Sequence, residues 1–214
     1  MEFLPKNIDD YACMHTQKEN QVLEDLNRET WAKVLIPRML SGHLQGRTLS
    51  MFSKMIKPKN ILEIGTYTGY SAICLSEGLD QQGKLHTIDI NEELKEMSSK
   101  YFKKAGIDGK IEQHIGNAME IIPTIDLTWD LIFIDADKEN YSNYFDLVID
   151  KMSIGGFLVA DNVLWSGKVV EPLSEKDSET KEIIKFNDKI HQSDRVENVL
   201  MPIRDGLMVC RKIK

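Results

Sequence analysis

The chain has 214 residues, which is enough for one domain with a sheet covered by helices on both faces. With 42% hydrophobic and 29% charged residues, its composition excludes an intrinsically disordered chain. The formal net charge of -7 argues against a general nucleic-acid binder, which is typically basic, but it leaves room for a local basic face.

The cysteines and the first residues indicate the compartment. Cys13, Cys74 and Cys210 form no CxxC pair, a pattern that fits isolated thiols in a reducing compartment and gives no zinc signature. The opening residues "MEFLPKNIDD" have neither the basic start nor the apolar centre of a signal peptide. No apolar run reaches the length of a membrane-spanning helix. We therefore expect a cytoplasmic protein.

The sequence predicts a single domain, 1–214, in which an N-terminal helical segment, 1–56, precedes a core, 57–214. Residues 7–56 carry helical spacing, and Pro37 divides them into two or three short helices. The stretch "QGRTLSMFSKMI" brings Leu49, Phe52 and Ile56 to one side, so it predicts an amphipathic helix.

From residue 60 onward, short apolar runs alternate with stretches of helical spacing. Strands are predicted at 60–64, 85–90, 111–115, 130–134 and 156–160, and helices near 70–79, 92–105, 117–122 and 141–152. This alternation predicts a parallel sheet covered on both faces. A charged stretch within 171–194 is predicted to be a solvated helix that a serine or aspartate caps. After it, "VENVLMPI" and "GLMVCRKI" predict an antiparallel hairpin with only Arg204–Asp205 between its strands.

The turn after the first strand, "LEIGTYTGYSA", has the features of a cofactor site. Gly65 and Gly69 allow a tight strand-to-helix turn and a close approach of a ligand, but their spacing is not the GxGxxG of a dinucleotide site. Glu63 would repel pyrophosphate and attract a cationic ligand. Asp89 ends the next strand, where an acid commonly accepts hydrogen bonds from ribose hydroxyls. Together they favour S-adenosylmethionine (SAM); the alternative is that the glycines only form the turn and Asp89 only caps a helix.

Acidic and amide side chains follow two neighbouring predicted strands. Asp135 and Asp137 come after "LIFI", and Asp161 and Asn162 come after "GFLVA". Because the carboxyl ends of parallel strands meet at one edge of the sheet, we expect these side chains to converge there. Oxygen ligands without histidine or cysteine suit Mg²⁺. The alternative is that Asp135 and Asp161 cap the following helices.

Several other candidates have simpler explanations. Trp165 is predicted either to wall a substrate pocket or to pack on its own loop. Asp205 is predicted either to face the site or, more simply, to form an Asp-Gly hairpin turn. The five histidines show no ligand spacing and are predicted to be structural or exposed: His15, His43, His86, His114 and His191.

From about residue 45 to 211 the chain resembles the cation-dependent class I O-methyltransferases, which include the caffeoyl-CoA and catechol enzymes. The resemblance is carried by "LEIGTYTGYSA", "DLIFIDADKENYSNY", "GGFLVADNVLWSGKV" and "PIRDGLMVCRK". It implies a Rossmann-like seven-stranded sheet, mostly parallel, and a homodimer. The metal ligands that it implies are Asp135, Asp161 and Asn162, and its catalytic residues are Lys138 and Asp135. Its positions for SAM fall on Glu63, Gly65, Thr66, Ser71, Asp89, Ala118, Asp135 and Asp137.

The resemblance predicts methyl transfer from SAM to a small catechol-like acceptor with two adjacent hydroxyls, assisted by Mg²⁺ or another divalent cation such as Mn²⁺ or Ca²⁺. Ser166 stands where the plant caffeoyl-CoA enzymes have asparagine, which weakens the case for a CoA thioester. Lys138 is expected to take the acceptor's proton or to hold the phenolate by charge. One alternative acceptor is a hydroxylated uridine in tRNA, with basic clusters at 100–104 and 210–214 as a docking face. Alternatives of other classes are a nicotinamide-dependent oxidoreductase and a catalytically silent nucleotide-binding module.

Overall fold

A computed structural model describes residues 5–214 of the chain. Residues 1–4, which enter the expectation of no signal peptide, lie outside that range. The helices are α1 Lys6–Met14, α2 Gln21–Lys33, α3 Gly42–Ile56, α4 Tyr70–Ser76, α5 Lys95–Lys104, α6 Ala118–Thr124, α7 Tyr141–Ile149 and α8 Ser178–Gln192. The strands are β1 Asn60–Ile64, β2 Lys84–Asp89, β3 Ile111–Ile115, β4 Trp129–Ile134, β5 Met152–Asp161, β6 Val196–Met201 and β7 Leu207–Lys212.

These strands form one seven-stranded sheet in the order β3-β2-β1-β4-β5-β7-β6. The strands β1 to β5 are parallel, while β7 is antiparallel to both β5 and β6. The predicted fold class is therefore confirmed, including the antiparallel C-terminal pair. The order reverses direction at β1, so the carboxyl ends of β1 and β4 lie beside a topological switch point, where open α/β sheets bind ligands.

Alternation along the strands divides the interior into two cores. In β4, Ile132 and Ile134 point to the core under α6, α7 and α8, whereas Leu131 and Phe133 point to the core under α2 to α5. The N-terminal helices contribute Leu23, Leu26 and Leu49 to the second core, each fully buried. Helices therefore cover both faces of the sheet, as predicted, and no helix among residues 5–214 has the length and apolarity to cross a membrane.

Several predicted boundaries were wrong. The predicted helix 141–152 ends at Ile149, because Met152 already pairs with Trp129 and begins β5 four residues earlier than the predicted start at 156. The hairpin turn is longer than Arg204–Asp205: β6 ends at Met201, and residues 202–206 connect it to β7. Pro202 has no backbone N–H to donate to the ladder, which explains the early end of β6.

The charged stretch forms α8, and Asp177 caps its start by accepting a hydrogen bond from the backbone N–H of Thr180. The predicted cap is confirmed, but the prediction of a simply solvated helix was wrong. One face of α8 buries Ile183, Phe186 and Ile190 against the sheet. These three residues lie three and four positions apart, which is the helical pattern of an apolar face. The many charged residues of this stretch obscured that pattern in the sequence.

Candidate active site

A cavity of about 1520 Å³ opens at the carboxyl edge of the parallel strands. Its floor is formed where β1, β2, β4 and β5 end, and its walls come from three segments between elements. These are residues 33–39, called here the mouth segment, residues 165–168, and the turn 202–205. Strand ends supply fixed positions and the connecting segments supply variable walls, which is the usual arrangement of ligand sites in such folds.

Gly65 is required by the backbone at the first turn. Its φ of +102° lies in the left-handed region, and a Cβ at this position would lie 1.9 Å from the carbonyl oxygen of Asp135. Gly65 lines the cavity, so the turn brings bare main chain to the ligand space. Gly69 has a φ of +90° and packs against the ring of Phe102, outside the cavity lining. Of the two glycines, only Gly65 meets the cavity.

Asp89 lies on the cavity wall and joins the end of β2 to the glycine turn. Its Oδ2 accepts a hydrogen bond from the backbone N–H of Tyr67 at 2.6 Å, and its Oδ1 accepts one from that of Asn91 at 2.8 Å. The cap of the following helical turn is Asn91, whose side chain accepts from Glu93 N–H. A carboxylate has about four acceptor positions, so both oxygens of Asp89 keep capacity for a ligand.

Glu63, Thr66 and Ser71 are buried and do not line this cavity; Thr66 and Ser71 line a small second pocket with Gly65 and Asp135. The Thr87 hydroxyl donates to Glu63 Oε2 at 2.5 Å and also contacts the Thr66 hydroxyl at 2.5 Å. Burial raises the pKa of Glu63 to about 8, so the side chain is mostly neutral at pH 7. Glu63 does not line the cavity, and the attraction of its carboxylate for a cationic ligand stays a prediction. Within residues 5–214, its Oε1 has no hydrogen-bond partner.

Ala118 and Asp137 complete the predicted cofactor positions, and both lie on the cavity wall. Ala118 begins α6, directly after Asn117, whose side chain caps that helix by accepting from Met119 N–H at 3.0 Å. Asp137 accepts hydrogen bonds from Asn140 Nδ2 and from the Tyr144 hydroxyl, each at 2.5 Å. Asp137 is therefore held in place by Tyr144 of α7 and by Asn140, which directly precedes that helix.

The acidic residues at the ends of β4 and β5 converge on the floor, with a lysine between them. Lys138 Nζ donates to Asp135 Oδ1 at 3.1 Å, to Asn162 Oδ1 at 2.8 Å and to the Tyr141 hydroxyl at 2.7 Å. Lys138 is 7% exposed and Asp161 is 3% exposed, so the cluster is largely screened from solvent. The Tyr141 hydroxyl in turn donates to the backbone carbonyl of Asp161 at 3.0 Å.

The donor set of this cluster fits a hard divalent cation. Burial, followed by the negative charge of Asp135, raises the pKa of Asp161 to about 7. Two carboxylates and one amide oxygen thus face a single ammonium, and a further cation would relieve their repulsion. Within residues 5–214, no group of three or more His, Cys, Asp or Glu is arranged for a metal ion, so a cation at this cluster would need the Asn162 oxygen as its third ligand from the protein.

Two residues that contact the site, Gln45 and Arg204, were not singled out from the sequence, and a third, Asp205, was given a simpler explanation. Gln45, on α3, donates from Nε2 to Asp161 Oδ2 at 2.6 Å, and Arg204 donates from Nη1 to Gln45 Oε1 at 3.1 Å. Asp205, which the turn explained, lines the cavity and accepts from Asn162 Nδ2 at 3.4 Å and from Ser166 N–H at 2.5 Å. The available signal for Arg204 and Asp205 was their place inside the motif "PIRDGLMVCRK"; Gln45 had none.

The segment after β5 is held in an unusual conformation. Trp165 and Ser166 have φ values of +46° and +55°, and Asn162 has +59°, although none of them is glycine. Trp165 lines the cavity, and Lys138 Nζ lies 5.6 Å from the centre of its ring. Trp165 therefore lines the cavity and at the same time packs against the core under α6 to α8, so both interpretations describe part of its environment. Such left-handed residues cluster at functional sites, where their surroundings hold them.

The structure brings together two of the histidines that the sequence left scattered. His86 on β2 and His114 on β3 stack with ring centroids 5.3 Å apart, and their Nδ1 and Nε2 atoms are 3.0 Å apart. Burial lowers the pKa of both. Neither residue lines the cavity, so the pair is structural, as predicted.

Residues 13–213 match the family model described as O-methyltransferase. Among known proteins, the caffeoyl-CoA O-methyltransferase of Medicago sativa is 35% identical over 211 residues, covering 92% of this chain and 84% of that protein. Two solved structures, each 26% identical, are similar throughout. TomG of Streptomyces achromogenes, in complex with SAM, has a TM-score of 0.88 with 97% of this chain and 96% of that chain covered. The O-methyltransferase of Bacillus cereus, in complex with SAH, has a TM-score of 0.89 with 96% and 97% covered.

A seven-stranded sheet of this order with polar clusters at its carboxyl edge defines the class of Rossmann-like transferases. The chain belongs to the O-methyltransferase family, because the family model covers nearly all of it. The family predicted from the sequence is confirmed, and so is the enzyme class, a SAM-dependent O-methyltransferase. The match decides against the nicotinamide-dependent alternative.

Proposed function

We propose that this O-methyltransferase moves a methyl group from SAM to one hydroxyl of a small catechol-like acceptor, assisted by a divalent cation such as Mg²⁺. The observation that carries the proposal is the convergence of Asp135, Asp161 and Asn162 around Lys138 on the cavity floor. The methyl group leaves the sulfonium sulfur, which becomes the thioether of S-adenosylhomocysteine (SAH), and the acceptor hydroxyl gives up its proton. The chain must therefore bind both molecules and favour the deprotonated acceptor.

Asp135, Asp161 and Asn162 would hold the cation. When bound, a divalent cation lowers the pKa of a hydroxyl at its open positions and orients a pair of adjacent hydroxyls. The proximity of the buried Asp161 to the partly exposed Asp135 supports this assignment, because the negative charge of Asp135 raises the pKa of Asp161 and a cation between them would relieve that repulsion. Mg²⁺ is the proposed ion since the ligands are all oxygens, and Mn²⁺ and Ca²⁺ share that preference.

Lys138 would stabilise the negative charge that develops on the acceptor oxygen. Its three hydrogen bonds, to Asp135, Tyr141 and Asn162, use all three N–H donors of an ammonium and hold the charge at the floor. This arrangement favours the second of the two expected roles, a fixed positive charge rather than a base. Trp165 walls the acceptor side, where its ring can cover an aromatic acceptor.

SAM would lie along the wall that Gly65, Asp89, Ala118 and Asp137 form. Asp89 would accept hydrogen bonds from the ribose hydroxyls, while Gly65 lets the ligand approach the main chain. Thr66, Ser71 and Glu63 would act from beneath, by fixing the turn through the Thr66–Thr87–Glu63 contacts. A homodimer and a cytoplasmic location stay predictions from the resemblance and the sequence.

Two observations favour a small acceptor over tRNA. The basic clusters at 100–104 and 210–214 are largely neutralised, because acidic partners lie within 4.0 Å of Lys100, Lys104, Arg211 and Lys214. Lys212 is 7% exposed and donates to the carbonyl of Met152. The names of the relatives also give tRNA no support, since the Medicago sativa protein is a caffeoyl-CoA enzyme.

Metal removal tests this proposal. EDTA should abolish methylation of a catechol and Mg²⁺ should restore it, whereas binding of SAH, measured by calorimetry, should be unchanged. Asp161→Ala should behave like chelation, because two remaining oxygen ligands hold Mg²⁺ poorly. The matched control is Asp194→Ala, which removes an exposed acid paired with Lys214 and should leave turnover unchanged. Full turnover of a metal-free sample in excess EDTA would defeat the proposed metal role.

A further inference from the structure

Arg204 adopts a backbone conformation that is unfavourable for a residue with a side chain. Its φ is +50°, in the left-handed region, although Gly206 is only two residues away. The side chain reaches back from the β6–β7 turn to the start of α3. Its Nη1 donates to the carbonyls of Leu40 and Ser41 and to Gln45 Oε1. Arg204 thus joins the residues between the mouth segment and α3 to the floor of the cavity.

Gln45 transmits this contact to the acidic cluster. The residue is 0% exposed, and its Nε2 donates to Asp161 Oδ2 at 2.6 Å. An arginine only donates hydrogen bonds, so it selects the amide oxygen of Gln45 and leaves the NH₂ group for the carboxylate. With the amide group reversed, the Gln45 oxygen would face the carboxylate of Asp161, and the Gln45 NH₂ group would face the N–H donor of Arg204. Arg204 therefore determines which end of Gln45 faces Asp161.

The carboxylate of Asp161 is consequently held at both oxygens. Oδ2 accepts from Gln45, and Oδ1 accepts from the backbone N–H of Asn162 at 2.7 Å. Neither Gln45 nor Arg204 is one of the proposed metal ligands. Mutation of groups that hydrogen-bond a metal ligand and hold it in place typically costs about tenfold to a hundredfold in metal affinity.

We propose that Arg204 and Gln45 form a positioning pair that orients the Asp161 carboxylate for the divalent cation. Arg204 acts through Gln45, and its bonds to the carbonyls of Leu40 and Ser41 fix the start of α3 so that Gln45 stays in reach. The inference rests on the proposed metal role of Asp161. It assigns a function to two residues 159 positions apart in the chain.

The test measures the affinity of purified protein for Mn²⁺, by the electron paramagnetic resonance signal of the free ion. Gln45→Met keeps the length of the side chain and removes its hydrogen bonds; Arg204→Gly removes the side chain at a position where glycine relieves the backbone. Each should weaken Mn²⁺ binding by about tenfold to a hundredfold. Affinity for SAH should change less than about twofold, and an unchanged melting temperature would show that the fold is intact. The matched control is Arg195→Ala, whose exposed arginine pairs with Asp150 away from the site.

A double variant distinguishes an effect of Arg204 that acts through Gln45 from two independent effects of the two residues. If Arg204 acts through Gln45, adding Arg204→Gly to Gln45→Met should weaken Mn²⁺ binding by less than about twofold more. Additive losses, or single variants that bind Mn²⁺ like the wild type, would overturn the inference while leaving the proposed function intact. If the wild type binds no Mn²⁺ and still methylates a catechol, the proposed metal role fails first, and the inference fails with it.

Discussion

At the level of single residues, Asp89 is the side chain that links the glycine turn to the end of β2. Asp89→Ala should weaken SAH binding about tenfold or more, because a lost charge-assisted hydrogen bond is worth about 1.5–3 kcal/mol. Titration calorimetry measures the change. Asp108→Ala, at an exposed acid outside the cavity lining, is the control and should bind as the wild type does. Equal affinities in the two variants would remove Asp89 from the cofactor site.

Glu63 gives the fold a pH dependence of the opposite sign to that of most acids. Its pKa is raised from 4.5 to about 8 by burial, so between these values the folded chain holds a proton that the unfolded chain has released. The free energy of unfolding therefore decreases as the pH rises through this window, by at most about 1.4 kcal/mol per pH unit from this group. Glu63→Gln should abolish that contribution.

Urea unfolding at several pH values between 5 and 8 measures the effect of Glu63→Gln. The variant should gain stability relative to the wild type as the pH rises. Glu171→Gln, at an exposed position, should follow the wild type throughout. A constant difference between Glu63→Gln and the wild type would mean that Glu63 is already ionised in the folded chain.

The sequence could predict those site residues whose location follows from the end of a strand. Asp135, Asp161 and Asn162 each come directly after an apolar run, and parallel strands bring such ends together. Gln45 could not be predicted in this way, because it lies 116 residues from Asp161 in the chain and contacts it only through the packing of α3. The protonation of Glu63 was also hidden, since burial of that degree is a property of the fold.

At the level of elements, the β1–α4 turn depends on the absence of a side chain at residue 65. In Gly65→Ala, the added Cβ would meet the Asp135 carbonyl oxygen at 1.9 Å in a left-handed backbone. We expect destabilisation of several kcal/mol, beyond the ~1 kcal/mol of a left-handed alanine alone, with loss of SAH binding. Chemical denaturation and calorimetry measure the two effects.

Two other glycines serve as controls for Gly65→Ala. Gly106→Ala is left-handed, with a φ of +69°, but meets nothing within 4 Å, so it should show the conformational cost alone. Gly109→Ala meets nothing within 4 Å either, and no left-handed φ restricts it, so it should be nearly neutral. If Gly65→Ala is no worse than Gly106→Ala, the close approach of β1 and β4 at this turn is not required.

Elements were predicted well where a simple period applied and poorly where a local irregularity intervened. β1 and β3 have the predicted bounds, β1 as a mostly apolar stretch and β3 as a stretch with isoleucine at each end. The start of β5 was missed because its first residues precede Gly155, whose φ of +83° interrupts the strand pattern. The length of the hairpin turn was missed because Pro202 and a left-handed Arg204 replace the two-residue turn that Asp-Gly suggests.

At the level of the whole molecule, a cluster around Glu77 attaches the N-terminal helices to the sheet domain. Glu77 follows α4 and accepts hydrogen bonds from Arg47, Ser50 and Lys54, all on α3. Gln45, which donates a hydrogen bond to Asp161, lies on the same helix. The attachment of α3 therefore also fixes the position of Gln45 relative to Asp161. The site at the sheet edge therefore depends on packing on the face of α3 that is turned to α4.

The stability of Glu77→Gln as the pH is lowered tests whether the charge of Glu77 attaches α3 to the end of α4. Burial alone would raise the pKa of Glu77, but the bonds from Arg47, Lys54 and Ser50 lower it from 4.5 to about 2. The stabilisation is thus fully present above pH 4.5 and is lost as the pH falls towards 2. Allowing for solvent screening of a partly exposed group, Glu77→Gln should lower the free energy of unfolding at pH 7 by about 1–2 kcal/mol.

Thermal unfolding at several pH values from 7 to 2.5 measures the stabilities of Glu77→Gln and of the wild type. Their difference should shrink with acid, because protonation removes from the wild type the charge that the variant lacks. Glu112→Gln breaks the exposed pair with Lys84, so it should differ from the wild type by less than about 1 kcal/mol at every pH. A difference between Glu77→Gln and the wild type that persists unchanged at pH 2.5 would show that the charge of Glu77 does not hold α3 in place.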